Sequence, residues 1–188
     1  MPGVDIQDFV SKLRCCSDAD FVNVPRVHQL LCENPVDSKS IEKYLIWDRQ
    51  HYTRNLIDKT ELFEVMAICW EVGQISAIHN HKDQNCWMMV PMGKLLVQNY
   101  RLIRQDLKAG TADLEPTNLL EMHPGNPCAV DPDNPVHKVY NPAEFDQRAV
   151  SIHVYSRPYD SCVVYSDEQH KCGEVELHYT SEYGLVHK

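Results

Sequence analysis

The sequence predicts a mainly β fold, a barrel or sandwich of antiparallel strands under an N-terminal α-helical cap, and three observations carry that expectation. The first 47 residues hold apolar side chains at helical spacing. From about Tyr52 the texture changes to short apolar or alternating runs broken by Gly, Pro, Asn and Asp. No long helical period separates those runs, so neighbouring strands should pair antiparallel.

The elements follow in order. Asp5 is placed to cap a helix whose apolar residues are Ile6, Phe9, Val10 and Leu13. A second stretch repeats the spacing with Val27, Leu30 and Leu31, and a third helix is expected after Pro35, over Ser40–Trp47. Each has one apolar stripe to bury, which makes residues 1–47 a cap rather than a bundle. Strands are expected at Leu62–Trp70, Ala77–Asn80, Cys86–Pro91, Lys94–Tyr100, Cys128–Val130, Val136–Tyr140, Arg148–Ser156, Cys162–Ser166 and Glu174–Thr180, giving a β-barrel over 52–184. The polar stretch Arg101–Pro124 reads as an exposed loop. No internal repeat or Gly/Ser linker interrupts the chain, and 188 residues suit one domain with one core.

Composition narrows the function classes. A formal charge of -9 argues against nucleic acid or an anionic membrane as partner, since both need clustered Lys and Arg. No run reaches the ~18 apolar residues of a membrane span, and the opening MPGVDIQDFVSKL lacks the pattern of a secretion signal. A cytoplasmic, monomeric protein with reduced thiols is therefore expected. Of the eight cysteines, Cys69, Cys86 and Cys162 lie in apolar strand-like runs, and no pair has zinc-ribbon spacing.

The chemistry concentrates elsewhere. His79-Asn80-His81 sits in a strand-like stretch, where residues two apart share a face, and two neutral imidazoles on one wall suit a first-row transition metal. Alone, the pair fits two ordinary polar histidines equally well. Its frame is more specific: Gly73, His79, His81, Cys86 and Gly93 form G-x5-H-x-H-x4-C-x6-G. A second segment, Pro132-Asp-Asn134-Pro-Val-His137-Lys-Val-Tyr-Asn141, has the form P-x-N-x2-H-x3-N.

These two motifs resemble those of the cupin superfamily, which implies a jelly-roll β-barrel with His79, His81 and His137 as metal ligands. Cys86 stands where that superfamily usually has a glutamate ligand, and Asn134 where it usually has glycine, an exchange that a turn of positive φ tolerates. Without the glutamate, three neutral histidines leave Fe(2+) its full charge, which favours an anionic thiolate.

The resemblance then narrows. Tyr52-Thr-Arg54-Asn55, Ile68-Cys-Trp70, His79, His81, Cys86, His137, Ser151-Ile-His153-Val-Tyr155-Ser156 and Pro158-Tyr-Asp-Ser-Cys162 occur in order over about Tyr44–Gly184. Together they are similar to the cysteine dioxygenases. That resemblance implies Fe(2+) as cofactor, and L-cysteine and O2 as the reactants that become cysteine sulfinic acid. An arginine fork at Arg54 suits the substrate carboxylate, with the Tyr52 hydroxyl adding a hydrogen bond. Ser151, His153 and Tyr155 alternate along one strand and look like the family's relay, in which serine orients imidazole and imidazole bonds the phenol. The resemblance also implies a thioether joining Cys86 to Tyr155, and places Trp70 behind the pocket and Cys162 near its mouth.

Six further histidines, His28, His51, His123, His170, His178 and His187, lack ligand spacing, and His187 is expected to face solvent. One departure bears on selectivity: the family usually has Ser-Pro-Pro after the tyrosine, whereas this chain has Ser156-Arg157-Pro158. The alternative reading is a dioxygenase for another small carboxylated thiol such as 3-mercaptopropionate, although relatives of that preference tend to carry glutamine at the position of Arg54. Cysteamine, lacking a carboxylate, would leave Arg54 without a partner. More distant alternatives are a cupin isomerase, which usually keeps the glutamate, and a non-catalytic binder.

Overall fold

A computed structural model describes residues 3–186. The cap begins with α1 (Ile6–Arg14), where the Asp5 carboxylate accepts the Gln7 N–H at 2.7 Å and Ile6, Phe9, Val10 and Leu13 are buried. A short helix that periodicity did not predict follows, α2 (Asp18–Val22), held by a reciprocal capping box between Ser17 and Asp20. After α3 (Val24–Glu33) the expected third helix is instead a tight 3-10 turn over Ser38–Tyr44. Its buried residues, Ile41 and Tyr44, are three apart, so they eclipse on one face at three residues per turn.

Two sheets make up the rest, and the architecture is the predicted jelly-roll barrel under a helical cap. One comprises β1 (Thr53–Lys59), β2 (Glu64–Trp70), β4 (Asn85–Met92), β7 (Cys128–Ala129), β9 (Ala149–Ser156), β12 (Ser181–Glu182) and β13 (Leu185–Val186), in the order β13-β12-β1-β2-β9-β4-β7. The other closes on itself through β3 (Ile78–His79), β5 (Leu95–Asp106), β6 (Thr111–Met122), β8 (Val136–Tyr140), β10 (Ser161–Ser166) and β11 (Lys171–Glu176), in the order β10-β11-β6-β5-β8-β3. Pairing is antiparallel as expected except at β1–β12, where the chain returns alongside β1 in the parallel sense and covers its edge.

The central strands β2 and β9 are buried on both faces. Val65, Ala67, Cys69, Val150, Ile152 and Val154 face outward into one apolar cluster with Phe9, Leu13, Phe21 and Ile41 of the cap. The alternate residues Met66, Ile68, Trp70, Ala149 and Tyr155 face inward, against Leu95, Val97 and Val139 of the second sheet. Burial of both faces is why β2 reads as a continuous apolar run after Glu64, whereas β9 alternates because its inner face carries Ser151, His153 and Tyr155. Removing the Ile152 side chain beyond Cβ would cost ~2–5 kcal/mol by leaving a cavity under the cap.

Arg101–Pro124 is not a loop. It contributes the outer halves of β5 and β6, a long hairpin whose strands pair from Leu95↔Met122 to Asp106↔Thr111. Its β5 half, Arg101–Asp106, has both faces in water and shows no apolar alternation, although Ala112 opposite Gln105 is buried. Cross-strand charge pairs, Arg101 with Glu115 and Arg104 with Asp113 at 2.9 Å, line it instead.

Candidate metal centre and active site

His79 and His137 are direct cross-strand partners on β3 and β8. His81 arrives by a different route from the one strand alternation suggested. β3 ends at His79, and the chain then turns through Lys82 and Asp83, both left-handed. Asn80 holds the segment between the two ligand positions, its N–H donating to the Val163 carbonyl (3.1 Å) while its side-chain oxygen accepts the Val163 N–H (3.0 Å). The glycine that closes the first motif is required by packing as well as by conformation: Gly93 has φ +75°, and a Cβ there would lie 2.8 Å from Ala149 Cα. In the second motif Asn134 does not adopt positive φ, contrary to the glycine analogy; it closes the turn by hydrogen bonds to the Asp131 carbonyl (3.1 Å) and carboxylate (3.3 Å). The buried Asn141 amide ties Gln147 to the end of β2, donating to the Gln147 (2.8 Å) and Trp70 (3.3 Å) carbonyls.

The three imidazoles converge. One nitrogen from each of His79, His81 and His137 lies within 4.8 Å of the others, and among the described residues no carboxylate or thiol joins the cluster. Burial, reinforced by the neighbouring rings, holds His81 and His137 well below the ordinary histidine pKa, and burial lowers His79 to about 4, so all three are neutral donors near pH 7. Both ring nitrogens of His81 and His137 are buried without a hydrogen-bond partner, a cost of ~1–3 kcal/mol for each orphaned group. His79 Nδ1 lies 2.9 Å from the Ala77 carbonyl; donating there leaves its Nε2 lone pair free. Unpartnered, neutral, convergent nitrogens are what a divalent first-row metal requires, so the residues present fit such an ion.

A second group stands beside them. Trp70 Nε1–H donates to Ser151 Oγ (2.9 Å), Ser151 Oγ bonds His153 Nε2 (2.9 Å), and His153 Nδ1 bonds the Tyr155 hydroxyl (2.9 Å). Alternation on β9 puts all three of its members on the inner face, as expected, and Trp70 joins from β2. Burial pushes the Tyr155 phenol well above its usual pKa, with Tyr159 and Cys86 adding to the rise and Arg54 opposing it. Cys86 on β4 is the cross-strand partner of Tyr155, and both side chains are buried.

The cavity in front has a volume of about 410 Å³, and Tyr52, Arg54, Trp70, His79, His153, Tyr155 and Cys162 all line it. Tyr52 stacks on Trp70 at 4.6 Å. Arg54 is half-buried, its guanidinium resting 3.7 Å from Met66 Sδ, and among the described residues no carboxylate lies within ion-pairing distance of it. His81, His137, Ser151 and Cys86 do not line the cavity but adjoin residues that do, through ring contacts, hydrogen bonding and strand pairing. Three others were given no role: Tyr159, within the quoted Pro158–Cys162 run and edge-on to Tyr155 at 5.1 Å, and the Glu64–Tyr179 pair, which has no motif around it. The Ser156–Arg157 peptide bond is cis, and the Arg157 side chain points away from the cavity to Asp18 at 2.7 Å. His51 and His178 reach the cavity rim, while His187 lies outside the described residues.

Residues 4–168 match the family model described as cysteine dioxygenase type I. The chain belongs to that family. Among curated relatives, a cysteine dioxygenase type 1 from Danio rerio is 29% identical over 181 residues, covering 95% of this chain and 88% of that protein. The cysteine dioxygenase type 1 of Homo sapiens is 28% identical over 182 residues, covering 96% and 88%. A solved Klebsiella pneumoniae protein with a double-stranded β-helix domain aligns with 62% of this chain and 81% of its own at 15% identity and a TM-score of 0.49. For a member of the cysteine dioxygenase family, the arrangement separates two tasks. The imidazole cluster offers a metal site at the floor, and Arg54 offers a positive charge on the wall.

Proposed function

We propose that the chain is an iron(II)-dependent dioxygenase that converts L-cysteine and O2 into cysteine sulfinic acid. The observation that carries this reading is a neutral three-histidine cluster without a carboxylate, opening on the same cavity as an unpaired guanidinium. In the overall change the thiol sulfur gives up four electrons, O2 accepts them, and both oxygen atoms end on sulfur as the sulfinate.

His79, His81 and His137 would hold the iron, which when bound would bring thiolate and O2 together and make their spin-forbidden reaction accessible. The protein's own residues do the rest. Arg54 binds the substrate carboxylate through a forked pair of charge-assisted hydrogen bonds, with the Tyr52 hydroxyl beside it. That anchor fixes the distance from carboxylate to sulfur and converts an encounter into a local transfer. Tyr155 presents its hydroxyl toward the sulfur, and the His153 ring can take a proton at one nitrogen while releasing one at the other, linking Tyr155 to Ser151. Trp70, donating to Ser151, holds the far end still.

The cross-strand pairing of Cys86 with Tyr155 supports a thioether between Sγ and the ring carbon beside the hydroxyl. Forming that bond removes one hydrogen from the thiol and one from the ring, with O2 accepting the two electrons and two protons. Loss of two hydrogen masses from the chain measures it.

Arg54 favours a carboxylated thiol over cysteamine, and arginine rather than glutamine there favours cysteine over 3-mercaptopropionate. The decisive experiment is anaerobic loading with Fe(II), addition of each of the three thiols with O2, and measurement of oxygen uptake and sulfinate. Uptake of one O2 per cysteine is expected. A chain that loads zinc and consumes no O2 with any thiol would sink the proposal.

A further inference from the structure

Glu64 is an acid without a role in the chemistry above. It opens β2 on the inner face, where it is the cross-strand partner of Tyr155, and it is 0% exposed. One carboxyl oxygen accepts the Tyr179 hydroxyl; the other has no partner. The Tyr179 oxygen in turn accepts from Lys59 Nζ at 3.2 Å, and Lys59 is the cross-strand partner of Glu64 on β1. Arg54, on that same strand, leans on Met66, the next inward-facing residue after Glu64 on β2. Glu64 is absent from the cavity wall; two residues before Met66 on the same face of β2, it acts on the guanidinium through space, while the cavity side of Arg54 stays open.

We infer that Glu64 tunes the affinity of Arg54 for the substrate carboxylate, its own carboxyl competing for the same positive charge. The inference rests on the function proposed above. Two carboxylates on either side of one half-buried guanidinium repel each other through a medium that screens them poorly, so the ligand binds less tightly when Glu64 is ionised. A ligand carboxylate at Arg54 therefore favours the protonated Glu64, and binding takes up a proton. The charged and titratable groups facing Glu64 are Arg54 and Lys59 on β1, Tyr179 beyond β11, Tyr155 on β9, Cys86 on β4 and Tyr159 beyond β9. Burial raises the Glu64 pKa above the ordinary carboxylate value, while the Tyr179 hydrogen bond, Arg54 and Lys59 oppose the rise. Glu64 acts through Arg54 and is a positioning residue, not a catalytic one.

The test compares iron-loaded wild type, Glu64→Gln and Tyr179→Phe, reading KM and kcat for cysteine and the inhibition constant of cysteamine from acid to neutral pH. Wild-type KM for cysteine should rise with pH as Glu64 ionises. Glu64→Gln should lower that KM about tenfold at neutral pH and flatten its pH dependence, the change falling on KM rather than kcat. Tyr179→Phe removes a donor to the ionised carboxyl, so the rise should move to higher pH. Cysteamine has no carboxylate, and its inhibition should gain nothing from Glu64→Gln. An unchanged cysteine KM and pH profile in Glu64→Gln would overturn the inference, as would a parallel tightening of cysteamine. Should Glu64→Gln fail to fold, the Tyr179→Phe shift decides alone, and its absence counts against the inference. Thiol-dependent O2 uptake by wild type with no effect of either variant removes the inference only; no uptake by wild type removes the proposed function as well.

Discussion

Replacing Arg54 with methionine keeps an unbranched side chain of similar reach and removes the guanidinium, the only cation lining the cavity among the described residues. Two charge-assisted hydrogen bonds to a carboxylate are lost, at ~1.5–3 kcal/mol each, so carboxylated thiols should bind about 10²–10⁴-fold more weakly. Cysteamine never meets the guanidinium, so its binding should be unchanged or improved by loss of a repelling charge. Thermal unfolding should change little, because among the described residues the guanidinium has no carboxylate within ion-pairing distance, and its 3.7 Å contact with Met66 sulfur can be replaced by apolar packing of methionine. The assay is oxygen uptake against concentration for cysteine with cysteamine as competitor, alongside the unfolding midpoint. A variant that loses both ligands equally, or unfolds at markedly lower temperature, would refute the assignment of Arg54 to the carboxylate and make it a structural residue.

Other outcomes follow from the same geometry. Ser151→Ala leaves the buried Trp70 N–H without an acceptor and should cost ~1–3 kcal/mol of stability together with a loss of kcat, read by denaturant unfolding and turnover. Chelation of the bound metal should lower the unfolding temperature, and Fe(II) at a hundred times its dissociation constant should restore ~2.7 kcal/mol, whereas His137→Ala should abolish that response. For the metal-free protein, burial lowers His153 from the ordinary histidine value of 6.5 to about 3, so the unfolded chain binds this proton first as pH falls. Stability should then drop by roughly 1.4 kcal/mol per pH unit for this ring between those two values, and a flat profile in acid titration would contradict its burial. Arg101→Ala on the exposed hairpin should shift stability by under about 1 kcal/mol and leave turnover untouched.

The parts of the fold visible in the sequence are those where one period dominates. β9 shows it best: Ser151, His153 and Tyr155 alternate with Val150, Ile152 and Val154, and each set goes to its own face. Helix α1 is equally plain because its cap and its apolar stripe agree. The convergence of His81 was right for a reason the sequence did not hold, since it depends on a left-handed turn at Lys82 and Asp83 and on Asn80 standing in for a ladder bond. The hairpin of β5 and β6 was hidden because the outer half of β5 is exposed on both faces, leaving no apolar alternation to read. Glu64 and Tyr179 are 115 residues apart, and an isolated acid at the start of an apolar strand gives no sign that it will be buried against a tyrosine.

The site and the cap are two faces of the same two strands, and this makes the polar interior affordable to the fold. A one-residue slip of β9 would carry Ser151, His153 and Tyr155 into the apolar layer under the helices and turn Ile152 and Val154 toward the metal ligands. The slipped register loses twice: polar groups that bond one another at 2.9 Å would be buried without partners, and the cap would lose its aliphatic floor. Burial of the outward residues thus pins the register that aligns the inward ones. The precision of the Trp70–Ser151–His153–Tyr155 line therefore originates in the packing of Phe9, Leu13, Phe21 and Ile41 on the opposite side of the sheet.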